Sequence, residues 1–205
     1  MHHNKAIAIN LNKSMVALPK PTLIAVEEYL QTEPQSEVKR EYIRGKIYAM
    51  AGASDNHVTI TNNAVALLIN FVRQKGCRLY STDMKLEIPH QKVFYYPDLF
   101  VTCDSRDRIP NDRKQFPKLI IEVLSPSSTA SRDRGEKFAE YRQIETLQEY
   151  VLIEQSSIQI DVFRRNAENR WELFPFGQGE VVEFASLGFQ AAIEQFYEDV
   201  LLDIV

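Results

Sequence analysis

A glutamate inside an uninterrupted aliphatic run constrains this chain most. Leu119-Ile120-Ile121-Glu122-Val123-Leu124 has the near-continuous apolar character of a strand covered on both faces. A carboxylate there is expensive unless a cation or hydrogen bonds hold it. A second carboxylate, Asp98, opens the preceding apolar run Leu99-Phe100-Val101, where Pro97 keeps the chain extended. A lysine, Lys137, follows on the next helical stretch. Two carboxylates at consecutive strands with a lysine behind them point to a divalent cation and to a chemical site. The alternatives are a Glu122 paired with an arginine, an Asp98 bonded to its own turn and a surface Lys137.

The surrounding pattern supplies a scaffold. Residues 1–20 have no clear period and read as a flexible arm, and 21–205 read as a single domain. Thr22 is a candidate cap for a short helix ending before Pro34. Residues 38–50 read as a hairpin turning at Arg44-Gly45-Lys46. Ser54 caps a helix with Val58, Thr61, Val65, Leu68 and Val72 on one stripe and Gly76 beyond its end. Strands are expected at 77–80, 86–88, 93–103 and 119–124, then a helix over 132–145 and a strand from Glu149. A hairpin of 158–164 with 171–175 and a short amphipathic segment close the chain. The helix between Leu124 and Glu149 is long enough for a parallel crossover, which puts Glu122 on a central strand. The fold class is therefore α/β with α+β character, a central mixed sheet flanked by helices.

Composition removes several classes. Hydrophobic residues make up 44% and charged residues 25%, as in ordinary globular proteins, and no apolar run reaches spanning length. The start lacks a signal-peptide core, so a soluble cytoplasmic protein is expected, with no membrane partner. Cys77 and Cys103 have no metal-ligand spacing and read as reduced structural thiols. No dinucleotide, P-loop, serine-hydrolase or HExxH pattern occurs. A net charge of −4 means that attraction to nucleic acid has to come from a local patch. The loop 104–118, with five basic residues against three acidic ones, and Arg132 with Arg134 are the candidates.

The carboxylates suit magnesium, with manganese as a substitute: such an ion takes oxygen ligands, keeps several waters and can acidify one of them. Lys137 would orient the attacking water or stabilise developing negative charge. Glu41 has the parity of Ile43 and is a candidate third carboxylate; the alternative is a paired surface glutamate. His57, in the first turn after Ser54, either meets a phosphate or packs.

Several of these stretches together resemble the Uma2 family of the PD-(D/E)xK nuclease superfamily. They are Glu41-Tyr42-Ile43-Arg44-Gly45-Lys46-Ile47-Tyr48-Ala49-Met50, the Ala-Ser-x-x-His run ending at His57, and Tyr96-Pro97-Asp98. Glu122-Val123-Leu124-Ser125-Pro126-Ser127, Asp133-x-x-Glu136-Lys137-x-x-x-Tyr141 and Glu149-Tyr150 complete the set. The resemblance implies a restriction-endonuclease-like core with a magnesium site, and activity on DNA. Asp98 and Glu122 would be metal ligands, Lys137 the catalytic lysine and Glu41 an extra acid. The superfamily's lysine two positions after the glutamate is Leu124 here, so Lys137 would supply the ammonium from the next helix. The departure keeps two other functions open, an inactive nuclease-fold binding module and a hydrolase of a smaller phosphoester. A homodimer is also compatible with the aliphatic strands.

Overall fold

The computed structural model describes residues 23–109, 112–125 and 132–202. The N-terminal arm and the Thr22 cap lie outside the described residues. Helix α1 (Val26–Thr32) runs into a 3-10 turn, Glu33–Gln35, at Pro34. Strands β1 (Arg40–Ile43) and β2 (Lys46–Ala49) form the expected hairpin. Arg44 and Gly45 both take positive φ there, the geometry of a two-residue turn that matches strand twist.

Helix α2 (Asp55–Gln74) begins where the Ser54 hydroxyl accepts the His57 N–H, and Gly76 follows its end with φ +71°. Its buried face is Ile60, Thr61, Ala64, Leu68 and Val72. Val58, expected on that stripe, is 46% exposed, because the true stripe is rotated towards Ile60 and Ala64.

Strands β3 (Arg78–Ser81) and β4 (Lys85–Ile88) match expectation. The single strand expected over 93–103 is instead two, β5 (Val93–Tyr95) and β6 (Leu99–Thr102), which belong to different sheets. Tyr96-Pro97-Asp98 separates them: Pro97 has no N–H to give a ladder and restricts its predecessor. The long loop carries β7 (Arg113–Lys114) and leads to β8 (Pro117–Leu124). Helix α3 is shorter than expected, a π-type turn over Asp133–Lys137 continuing as the α-helical turn Phe138–Tyr141.

Strand β9 (Glu149–Glu154) is followed by the hairpin β10 (Gln159–Arg165) and β11 (Trp171–Gly177). The C-terminal segment is a second hairpin, β12 (Val181–Phe184) with β13 (Phe189–Ala192), and a 3-10 turn, Ile193–Tyr197. Its alternating small and aromatic residues bury Val182, Phe184 and Phe196 against α2.

The large sheet has the order β11-β10-β9-β8-β6-β3, and the smaller one β2-β1-β5-β4-β7. Strand β8 is interior, parallel to β9 and antiparallel to β6. Alternation along β8 serves two cores: Leu119, Ile121 and Val123 pack towards α2, while Ile120 and Leu124 pack towards Tyr141 of α3.

One expectation is corrected here. Cys77 and Cys103 are disulfide-bonded, with Cα atoms 4.2 Å apart. Arg78 pairs with Thr102 across β3 and β6, so the residues just beyond that pair face each other. The 26-residue separation conceals the pairing in sequence. Among the described residues, no helix is long and apolar enough to cross a membrane.

Candidate active site

The β6–β8 register sets Leu99 opposite Ile121, which makes Asp98 and Glu122 the next cross-strand pair. Glu122 Oε2 accepts the Asp98 backbone N–H at 3.3 Å, and Asp98 Oδ2 accepts the Val123 N–H at 2.7 Å. Both carboxylates thus sit on rigid sheet, near the carboxyl end of the parallel pair β8–β9.

Helix α3 covers them. Lys137 Nζ lies 3.1 Å from Glu122 Oε1, and the Tyr141 hydroxyl donates to the same oxygen at 3.0 Å. Asp133, four residues before Lys137, accepts from Nζ at 3.0 Å, and Glu41 Oε1 lies 3.5 Å from it. Arg132 holds the other Glu41 oxygen at 2.8 Å. From α2, His57 Nε2 reaches Asp98 Oδ2 at 3.1 Å. All of these except Tyr141 line a cleft of about 580 Å³.

Asp98, Glu122, Lys137 and Glu41 therefore converge. His57 joins them through Asp98. Asp133 was missing from the sequence-derived set, although its four-residue spacing before Lys137 and Tyr141 already places all three on one helical face. The basic loop does not converge on this site. Strand β6 leads away from Asp98, so the loop begins about 20 Å off at the strand rise of an extended chain. Arg106 there is paired with Asp104, and Arg113 with Glu87. Arg134 is held by Glu154 and Asp161.

The charges are unbalanced. Among the described residues, four carboxylates, Glu41, Asp98, Glu122 and Asp133, face the permanent cations Lys137 and Arg132, while the third lining cation, Lys39, is paired with Asp83. Burial pushes Glu122 up to about 8 despite Lys137, and Asp98 and Asp133 push the same way. Burial likewise raises Asp133. Burial opposes the Lys137 charge, but Glu122, Glu41 and Asp133 outweigh it and hold the ammonium protonated. Burial lowers His57 too, yet its bond to Asp98 leaves it above its ordinary value.

An enclosed site with surplus carboxylate favours a cation. Among the described residues, no group of three or more His, Cys, Asp and Glu side chains is placed to hold a metal ion. The donor pair Asp98 and Glu122 has the chemistry of an ion that takes one or two carboxylates and retains water.

The order α2, β3, β6, β8, α3, β9, with one acidic residue at the entrance of β6 and the other on β8, is that of a restriction-endonuclease-like fold. A crystal structure of "a putative nuclease belonging to DUF820" from Anabaena variabilis superposes with a TM-score of 0.71 at 22% identity, covering 87% of this chain and 99% of that one. The chain belongs to the Uma2 family, whose model, described as "Putative restriction endonuclease", matches residues 26–194. Two relatives from Synechocystis sp. are similar over most of their length. Uncharacterized protein slr1290 is 37% identical over 87% of this chain and 93% of its own. Uncharacterized protein sll1609 is 33% identical over 83% and 98%.

Proposed function

We propose that this protein is a divalent-metal-dependent phosphodiesterase that cuts nucleic acid internally, with DNA as the substrate and Mg2+ or Mn2+ held by Asp98 and Glu122. The observation that carries the reading is the Asp98–Glu122 cross-strand pair, set beside Lys137 in a cleft with more carboxylate than cation. The family description agrees with it.

When bound, the ion would polarise a phosphoryl oxygen and acidify water. The chain's own residues do the rest. The Val123 N–H and His57 fix Asp98, and Tyr141 and Lys137 fix Glu122. Lys137 is a fixed positive charge beside the carboxylates, suited to orient a water and to steady negative charge as the phosphorus–oxygen bond breaks. Glu41 and Asp133 hold that ammonium from two further sides.

The test is cleavage of supercoiled DNA and of single-stranded circular DNA with Mg2+ or Mn2+ by wild type, Glu122→Gln and Lys137→Ala. Cutting of at least one form by wild type, with both variants reduced at least about a hundredfold on that form, is expected. Equal cutting by all three would remove the site from the reaction. A second reading, a nuclease-fold binding module, draws on the contacts of Lys137 with three carboxylates, as in a structural ion-pair cluster. It predicts nucleic-acid binding without cleavage and no dependence on Glu122.

A further inference from the structure

We propose that the cleft takes one unpaired nucleic-acid strand, roughly a nucleotide on either side of the scissile phosphate, and not a duplex. The inference rests on the nuclease reading above and adds the substrate's form.

Charge is the first reason. A duplex presents a phosphate about every 3.4 Å along each strand, and proteins grip it through rows of cations. Among the described residues, the cleft's permanent cations are Lys39, Arg132 and Lys137. Lys39 is paired with Asp83, Arg132 with Glu41 and Lys137 with three carboxylates. Arg132 Nη2 makes no hydrogen bond but is itself buried, so it adds no exposed donor to form a row. The basic loop after β6 lies at the other end of that strand from Asp98.

Depth is the second reason. The Glu122 side chain is 3% exposed and that of Asp98 20%, so the reacting phosphate has to enter the cleft instead of resting on its rim. A volume of about 580 Å³ falls in the range of pockets that enclose a small ligand, about 300–1,000 Å³.

The wall is the third reason. Val38 and Val58 are 52% and 46% exposed, and with Met50, Ala51 and Ala53 they give the cleft an uncharged side. Such an apolar surface suits contact with the face of a base that has left its stack, which an unpaired strand offers without opening a duplex.

The test uses one sequence in three labelled forms: single strand, blunt duplex, and duplex with an unpaired 3′ tail. Each is incubated with Mn2+ and either wild type or Glu122→Gln. The expected result is Glu122-dependent cutting of the single strand and the tail, at least about tenfold faster in kcat/KM than the duplex, since opening a base pair costs a few kcal/mol. Duplex cut as fast as single strand would overturn the strand form while leaving the nuclease reading intact. No Glu122-dependent cutting of any form would overturn both. Val58→Asn, uncharged and at an exposed position, is expected to raise KM for the single strand about fivefold with little change in kcat, the loss of about 1 kcal/mol of apolar contact. An unchanged KM would overturn the role of the wall.

Discussion

Replacing Glu122 by Gln is expected to stabilise the metal-free protein, the reverse of what cutting a buried ion pair usually does. Removing one partner of such a pair normally costs about 3–5 kcal/mol, because a charge is left uncompensated. Here the charge left behind is Lys137, which keeps Asp133 at 3.0 Å and Glu41 at 3.5 Å. The group removed is surplus. Glu122 is raised from 4.5 to about 8, and at about 1.4 kcal/mol per pH unit its ionisation in the native state costs at most about 5 kcal/mol. The native protein binds this proton more tightly than the unfolded chain does. Stability is therefore unaffected below pH 4.5, falls as pH rises towards 8, and is level above. A glutamine has no such titration and still offers its carbonyl oxygen to Tyr141. The expected gain is at most about 5 kcal/mol at pH 8.5, shrinking to near zero at pH 4.5, because the raised value already contains the attraction of Lys137. Urea denaturation in EDTA at four pH values measures it. Mg2+ should then narrow the difference, since an ion at a hundred times its dissociation constant adds about 2.7 kcal/mol to wild type alone. A Glu122→Gln protein less stable than wild type at pH 8.5 in EDTA would refute the surplus-charge argument and make the Glu122–Lys137 pair a structural bond.

Other substitutions test separate contacts. His57→Ala removes the group that orients Asp98 from α2 and is expected to weaken Mn2+ binding about tenfold or more, measured by calorimetry. Lys137→Arg keeps the charge but should cleave no better than Lys137→Ala. Three carboxylates and the Tyr95 ring enclose Nζ, leaving a place for a compact ammonium and not for a planar fork. Substituting both Cys77 and Cys103 by Ser should lower stability by about 3 kcal/mol, the closure entropy of a loop of this length, seen as a lower urea midpoint. Reductant should change wild type to the same extent and leave the variant unaltered.

What the sequence disclosed was what local pattern controls. Glu122 in an apolar run, the Ser54 cap, the Arg44-Gly45 turn and the parallel crossover each follow from a few neighbouring residues, and each is in the structure. Long-range register was hidden. Whether Cys77 meets Cys103, or Asp98 stands opposite Glu122, depends on how β6 pairs with β3 and β8. The division of 93–103 between two sheets had a local cause at Pro97, yet the aliphatic and aromatic residues on both sides read as continuous strand. Glu41 and His57 were undecided for the same reason, since each becomes a site residue only through a partner on a distant element.

The lysine on the helix is the point where fold and chemistry meet. A lysine two residues after Glu122 would share its face of β8, but that position is Leu124, fully buried against Tyr141 and Tyr150. The strand therefore uses this position for packing, and the ammonium comes from α3. Its registry is met by spacing: Asp133, Lys137 and Tyr141 recur every four residues, and Lys137 and Tyr141 both end on Glu122 Oε1 while Asp133 holds Lys137 from the side. A π-type turn at Asp133–Lys137 lies inside this run, a distortion found mostly where a helix serves a site. The sheet thus fixes the carboxylates and the helix fixes the cation. A ligand that draws Glu122 away from Lys137 leaves the ammonium held by Glu41 and Asp133, so the charge beside the cleft persists when the carboxylate is engaged.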